Sequence, residues 1–73
     1  MLTYEEHDIK LWIVNTETFY NLVKNNLNNY GTFKTIVYNI YLHLKKHDLL
    51  NDEFDLKELN FYKLFEDLKE YFL

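Results

Sequence analysis

The chain has 73 residues and a formal net charge of −4. A chain of this length forms one domain and buries only about 60% of the surface that its unfolded form exposes. It contains no cysteine to stabilise it by disulfides, and no apolar run approaches the roughly 20 residues that a transmembrane helix needs. The first ten residues are acidic where a secretory signal is basic, so we expect a cytoplasmic protein.

The first predicted helix covers about residues 4–14. Thr3 is a suitable N-cap, and Glu6, three residues later, completes a capping-box pattern. A helix places Ile9 and Ile13 on one face, although apolar residues in the same stretch also alternate as they do in a strand. We favour the helix because the cap signal is good and no second strand is evident.

A second helix is predicted after Asn15 and Thr16, which interrupt the first pattern and can cap the next one. Its buried stripe should consist of four apolar residues at helical spacing: Phe19, Val23, Leu27 and Tyr30. Gly31, the only glycine, follows a run rich in asparagine. We expect Gly31 to end the second helix as a C′ residue with positive φ.

Residues 32–47 are the most apolar segment and are predicted to form the central helix, with Thr32 as its N-cap. Its apolar residues recur at steps of three and four, the spacing that lines one helix face: Phe33, Ile36, Val37, Ile40 and Leu44. This helix should therefore contact the other helices on two flanks.

An acidic connector, residues 48–55, follows the central helix, and we expect its apolar residues to pack against the core, namely Leu49, Leu50 and Phe54. Residues 55–59 should form a short helical turn. Asn60 should cap a last helix with the stripe Phe61, Leu64 or Phe65, Leu68 and Phe72. The sequence thus predicts an all-α fold, a small single-domain bundle of about four helices over residues 1–73.

The composition argues against an enzyme. The chain has no serine or cysteine nucleophile, and a single glycine cannot build a glycine-rich phosphate loop. His43 and His47 are spaced i, i+4, but a zinc site needs at least three protein ligands, and no third has a recognisable spacing. We predict no catalytic residue, no cofactor and no metal site.

A helix-turn-helix interpretation would place the polar face of the central helix in a major groove, with Thr35, Asn39, His43 and Lys46 facing the bases. Lys34 and Lys45 would then contact phosphates. The chain has no arginine, which is the commonest reader of guanine. Its net charge of −4 also repels DNA. A weak DNA-binding regulator is therefore the least favoured function.

Two sets of residues favour a protein partner. Seven tyrosines, six phenylalanines and one tryptophan exceed what so small a core can cover, and we expect three of them at an interface: Tyr38, Tyr41 and Tyr62. Residues 48–73 hold eight acidic residues against three lysines, a net charge of −5. The candidate acidic face for a basic partner consists of Asp48, Asp52, Glu53, Asp55 and Glu58.

Residues 7–21 read HDIKLWIVNTETFYN, in which a Leu-Trp-Ile segment is followed by Asn, an acidic residue, Tyr and Asn. This segment resembles the opening of small uncharacterised proteins encoded by phages. The resemblance implies a phage or prophage accessory protein, with no catalytic residues to carry over. The abundance of Asn, Lys, Ile, Tyr and Phe is typical of an AT-rich genome and agrees with that origin.

From these patterns we expect a non-enzymatic phage or mobile-element accessory protein that binds a host protein. One version is an inhibitor of a defence nuclease, of the anti-CRISPR or anti-restriction kind, whose acidic last third partly mimics DNA. The alternative is a self-associating structural or regulatory module, a homodimer that pairs through its aromatic faces.

Overall fold

The computed structural model describes residues 1–73, and all of its regular elements are helical. The four α-helices are α1 (Tyr4–Asn15), α2 (Glu17–Lys24), α3 (Tyr30–Lys46) and α4 (Phe61–Tyr71), and a short 3₁₀ turn, Leu56–Glu58, precedes α4. The predicted all-α bundle of four helices is confirmed, and the strand alternative for the first segment is wrong. None of the helices has both the length and the apolar character needed to cross a membrane.

The helices pack in cyclic order, so that each contacts its two neighbours: α1 with α2, α2 with α3, α3 with α4, and α4 with α1. They enclose one cluster of buried apolar side chains: Ile9, Ile13, Val23, Phe33, Val37, Ile40, Leu44, Leu59, Leu64, Phe65 and Leu68. The largest fully buried side chain is Phe33 of α3, whose ring centroid lies 5.0 Å from that of Phe65. The predicted apolar stripe of α3 therefore faces the core, with Ile36 partly buried at its edge.

The N-terminus of α1 carries the capping box that the sequence predicts. Thr3 Oγ1 accepts a hydrogen bond from the Glu6 N–H, and Glu6 Oε1 accepts one from the Thr3 N–H. The sequence did not indicate that Glu6 is also buried, with only 1% of its surface exposed. Its second oxygen, Oε2, accepts a hydrogen bond of 2.8 Å from the N–H of Asn60 at the start of α4. Lys63 Nζ lies 3.8 Å from Oε1.

Two further contacts join the first turn of α1 to the segment before α4. Glu5 Oε2 accepts a hydrogen bond of 3.2 Å from the Asp55 N–H. The Thr3 hydroxyl donates one of 2.9 Å to the Glu58 carbonyl oxygen. The Asn60 N–H, which donates to Glu6, provides a third contact. The three contacts lie at residues 55, 58 and 60 and hold this segment against α1.

The boundary between the second and third helices differs from the prediction. Asn29 is the N-cap of α3, since its Oδ1 accepts a hydrogen bond from the Thr32 N–H. Gly31 therefore lies in the first turn of α3, and its φ is not positive. The expected roles of Gly31 as a C′ residue and of Thr32 as an N-cap are both wrong. The physical reason is that asparagine is a better N-cap than threonine, while the asparagine run after Lys24 has low helix propensity.

The left-handed residue of the chain is Asp48, with φ 57°. It follows α3 as part of a Schellman motif, in which the Leu49 N–H donates to the Leu44 carbonyl at 2.9 Å and the Asp48 N–H donates to the Lys45 carbonyl at 3.1 Å. Asp48 thus takes the conformation that the sequence assigned to Gly31. An aspartate at this place also lies at the negative end of the helix dipole.

The connector and α4 largely follow the prediction. Leu50 and Phe54 pack against the core, whereas Leu49 remains 46% exposed because it belongs to the turn that closes α3. Asn60 caps α4 by accepting a hydrogen bond from the Lys63 N–H. The spacing left open whether Leu64 or Phe65 belongs to the buried stripe of α4, and in the structure both are buried.

The buried carboxylate of Glu6 should dominate the stability of the N-terminal turn. Glu6→Ala removes half of the capping box and leaves the Asn60 N–H without its partner, so we expect a loss of about 2–4 kcal/mol in the free energy of unfolding. Glu6→Gln keeps an acceptor oxygen and should therefore lower the free energy of unfolding by less. Urea unfolding followed by circular dichroism measures both. Glu17→Ala, at an exposed position in the first turn of α2, is the control, and an equal loss there would contradict this role of Glu6.

The positive φ of Asp48 gives a second expectation. Asp48→Gly should raise the free energy of unfolding by about 0.5–1 kcal/mol, because glycine adopts this conformation without strain and removes a negative charge from the helix C-terminus. The same change at Asp52, which is exposed and has negative φ, should lower the free energy of unfolding. Thermal unfolding of both variants tests this, and stabilisation by Asp52→Gly alone would refute it.

Candidate functional site

A cleft of about 260 Å³ lies between the C-terminal end of α3 and the connector that follows it. Its lining combines apolar, acidic and basic side chains: Tyr41, Lys45, Asp48, Leu50, Asn51, Asp52 and Phe54. We call it the connector cleft. Because its lining joins predicted aromatic and predicted acidic site residues, it is the candidate site for a partner.

The connector cleft owes its shape to two successive turns. The Schellman motif at Asp48 ends α3, and a turn over residues 51–54 then brings the chain back, with the Phe54 N–H bonded to the Asn51 carbonyl and the Glu53 N–H bonded to Asn51 Oδ1. The second turn stacks Phe54 on Tyr41, with ring centroids 5.7 Å apart and ring planes at 30°. These two rings form an aromatic floor.

Tyr38 and Lys45 flank this floor on α3. The Tyr38 ring is 43% exposed and lies 6.0 Å from the ring of Tyr41, which is itself buried. Lys45 Nζ lies 3.4 Å from Tyr41 Oη and 5.8 Å from the centre of its ring. The Lys45 ammonium therefore lies at the hydroxyl edge of the Tyr41 ring, within hydrogen-bond distance of its oxygen.

The five predicted acidic residues lie in different places. Asp48 and Asp52 line the connector cleft, and Glu53 is exposed beside it. Asp55 caps the 3₁₀ turn through a hydrogen bond from the Lys57 N–H to its Oδ1, and Glu58 ends that turn. Of the predicted acidic face, only Asp48 and Asp52 share a cleft with aromatic side chains.

Tyr62 lies apart from the other two predicted tyrosines. It is 53% exposed on α4, and its ring packs against Tyr30 with centroids 5.1 Å apart. Tyr30 begins α3 and Tyr41 lies eleven residues later, a rise of about 16 Å along the helix axis. Tyr62 packs at Tyr30 and is therefore far from the connector cleft.

A hydrogen bond with the Glu66 carboxylate raises the pKa of the Tyr62 phenol above its ordinary value.

The features on which the DNA interpretation rests are only partly present. The turn between α2 and α3 has five residues, longer than the three or four that join the helices of a helix-turn-helix unit. Of the three lysines of α3, Lys34 lies 5.6 Å from the centre of the Phe61 ring and Lys45 contacts Tyr41, so both are engaged within the chain. Only Lys46 has no such aromatic contact.

No group of three or more histidine, aspartate or glutamate side chains is placed to hold a metal ion. His43 and His47 are both exposed, and their ring centroids are 4.5 Å apart. The Phe19 ring of α2 meets His43 nearly edge-on at 6.0 Å.

The sequence did not indicate Phe54 as a site residue, and it indicated Lys45 only as a phosphate contact in the DNA interpretation. The spacing of Lys45, one helical turn after Tyr41, was the signal for its contact. Phe54 was expected to pack on the core, and its stacking on Tyr41 depends on the turn at Asn51, for which Asn-Asp in the connector was the available signal.

A second groove, also of about 260 Å³, runs along α1 and is lined by Asp8, Leu11, Trp12, Asn15 and Thr16. Burial raises the pKa of the Asp8 carboxyl above 3.8, the neighbouring His7 lowers it, and Glu5 raises it again, with a net upward shift. The surroundings of Asp8 thus disfavour its charged form.

The raised pKa of Asp8 means that the native state binds this proton more tightly than the unfolded state does. Its ionisation therefore lowers the free energy of unfolding as the pH rises through the native pKa. We expect Asp8→Asn to be more stable than the parent chain at pH 7, with the difference narrowing towards about pH 4. Urea unfolding at several values between about pH 4 and pH 7 measures this difference in stability. Asp52→Asn, the same change at an exposed position, is the control. A difference in stability between Asp8→Asn and the parent chain that did not vary with pH would argue against the assignment.

Comparison with protein-family models, with curated proteins and with solved structures finds no match to this chain.

Proposed function

We propose that the chain is a non-enzymatic binding module that engages another protein through the connector cleft. The observation that carries this proposal is the stacked pair Tyr41 and Phe54 beside the carboxylates of Asp48 and Asp52. Aromatic floors with acidic rims suit lysine and arginine side chains, because the ring faces and the carboxylates both attract a cation. The partner is therefore a protein that presents a basic segment.

The charge of the connector supports the same partner chemistry. Residues 48–55 contain four acidic residues and no lysine. A cleft of about 260 Å³ is large enough for one long basic side chain, and the exposed ring of Tyr38 extends the contact surface beside it.

In its concrete form, the proposal is an accessory protein of a phage or mobile element that acts in the cytoplasm of a bacterial host. The resemblance of residues 7–21 to phage-encoded proteins supports this origin. Enzymes that handle nucleic acid have basic grooves, so a host defence nuclease is a partner with the required chemistry. Inhibition of the anti-CRISPR or anti-restriction kind would follow from occupation of such a groove.

The test is capture of the partner from a lysate of the host bacterium, followed by affinity measurement with the purified partner. The cleft variant carries Asp48→Asn and Asp52→Asn, since asparagine tolerates the left-handed conformation at residue 48. The matched control carries Glu66→Gln and Glu70→Gln, two exposed carboxylates on α4. We expect the cleft variant to bind roughly tenfold more weakly and the control to bind as the parent chain does.

Two outcomes would contradict the proposal. Equal binding by both variants, or binding that does not weaken with added salt, would place the interface elsewhere. A chain that captures nothing and is a dimer by light scattering would favour the homodimer instead. Tyr38 and Leu42, one helical turn apart on α3 and each 43% exposed, supply an apolar strip for that alternative.

A further inference from the structure

His43 and His47 form a pair that the connector cleft does not use. They lie one helical turn apart at the C-terminal end of α3, with both side chains exposed. Their ring centroids are 4.5 Å apart and their planes are inclined at 51°. The His47 N–H donates a hydrogen bond of 3.1 Å to the His43 carbonyl, so the backbone positions of the two residues are tied to each other.

We propose that His43 and His47 together chelate one divalent transition-metal ion of the Cu²⁺ or Ni²⁺ class. Two histidines at i and i+4 on a helix present their nitrogens to the same ion, as they do in the metal-binding helices of zinc proteases. Imidazole is a preferred ligand of copper, nickel and zinc. The tetragonal geometry of Cu²⁺ and Ni²⁺ accepts two protein nitrogens with water in the remaining positions, whereas structural zinc sites require four protein ligands.

Among the divalent ions, we expect Cu²⁺ to bind the pair most tightly. Cu²⁺ stands highest in the affinity order of divalent ions for a given nitrogen site, which matters where only two ligands are available. The edge-on contact of the Phe19 ring with His43 restricts that imidazole before the ion arrives. Lys45, two residues from both histidines, is held at Tyr41 on the other side of the helix, so its charge is directed away from the ion.

This site is independent of the proposed protein partner. The ion binds two residues that are correctly spaced only when the last turn of α3 is helical. Binding should therefore stabilise the native state and raise its melting temperature, with the logarithm of the ion concentration above the Kd. The full-length, untagged chain is therefore titrated with CuCl₂ by calorimetry, and its melting temperature is followed in parallel.

We expect one Cu²⁺ per chain at this site, and a signal from two nitrogen ligands in electron paramagnetic resonance. Removal of second-shell partners costs about 10–100-fold in metal affinity, and loss of a ligand costs at least as much. His43→Asn and His47→Asn should therefore each weaken binding by at least about tenfold. His7→Asn, at the third histidine of the chain, should leave the affinity and the spectrum unchanged.

A variant with Lys45→His and His47→Asn keeps three histidines but separates the two of α3 by two positions, where side chains do not face each other. This variant should bind Cu²⁺ no more tightly than the variant with His47→Asn alone. Circular dichroism of each variant verifies that the helices are retained. The proposal is overturned if the rearranged variant binds Cu²⁺ as the parent chain does, if His7→Asn abolishes binding, or if the parent chain shows no two-nitrogen signal.

Discussion

The fold depends on a buried carboxylate at the start of the chain. Glu6 is 1% exposed, and burying a charged group is unfavourable unless hydrogen bonds replace its water. Two backbone N–H groups provide that replacement, one from Thr3 beside it and one from Asn60 at the start of α4. Because the second donor is 54 residues away in the chain, the carboxylate is satisfied only when α4 lies against α1. The bond therefore closes the ring of four helices around the core.

Aromatic contacts add to a mainly aliphatic core, and lysines cover many of the rings. Phe33, Phe65 and Tyr30 join α3 to α4 through ring contacts of 5.0 and 5.3 Å. Five of the eight lysines lie within 6 Å of a ring centre: Lys10, Lys24, Lys34, Lys45 and Lys69. Long basic side chains can shield aromatic surface while their charge stays in water. Much of the aromatic surplus is thus accommodated within the chain, whereas the Tyr38 ring remains 43% exposed beside the connector cleft.

The C-terminal end of α3 concentrates the features with functional potential. Asp48 both closes the helix in a left-handed conformation and lines the connector cleft, so the shape of the cleft is tied to the end of the helix. The pair His43 and His47 occupies the same two turns but contacts Phe19 of α2. A helix terminus, a chain reversal and two side-chain clusters therefore share one small region.

The sequence by itself determined that there are four helices and how α1 and α4 are capped, since caps and apolar spacing are local features. It did not determine the end of α2, which stops at Lys24, so that Leu27 and Tyr30 lie outside it. Thr3 with Glu6, Asn60 and the apolar stripe of α3 were all predictable from spacing and side-chain chemistry. The start of α3 was not, because Asn29 and Thr32 compete as caps and the difference between them is small. Only the tertiary structure decided that Glu6 meets Asn60 and that Phe54 stacks on Tyr41. Those contacts depend on the path of the connector and on the packing of the whole bundle, which local periodicity does not encode.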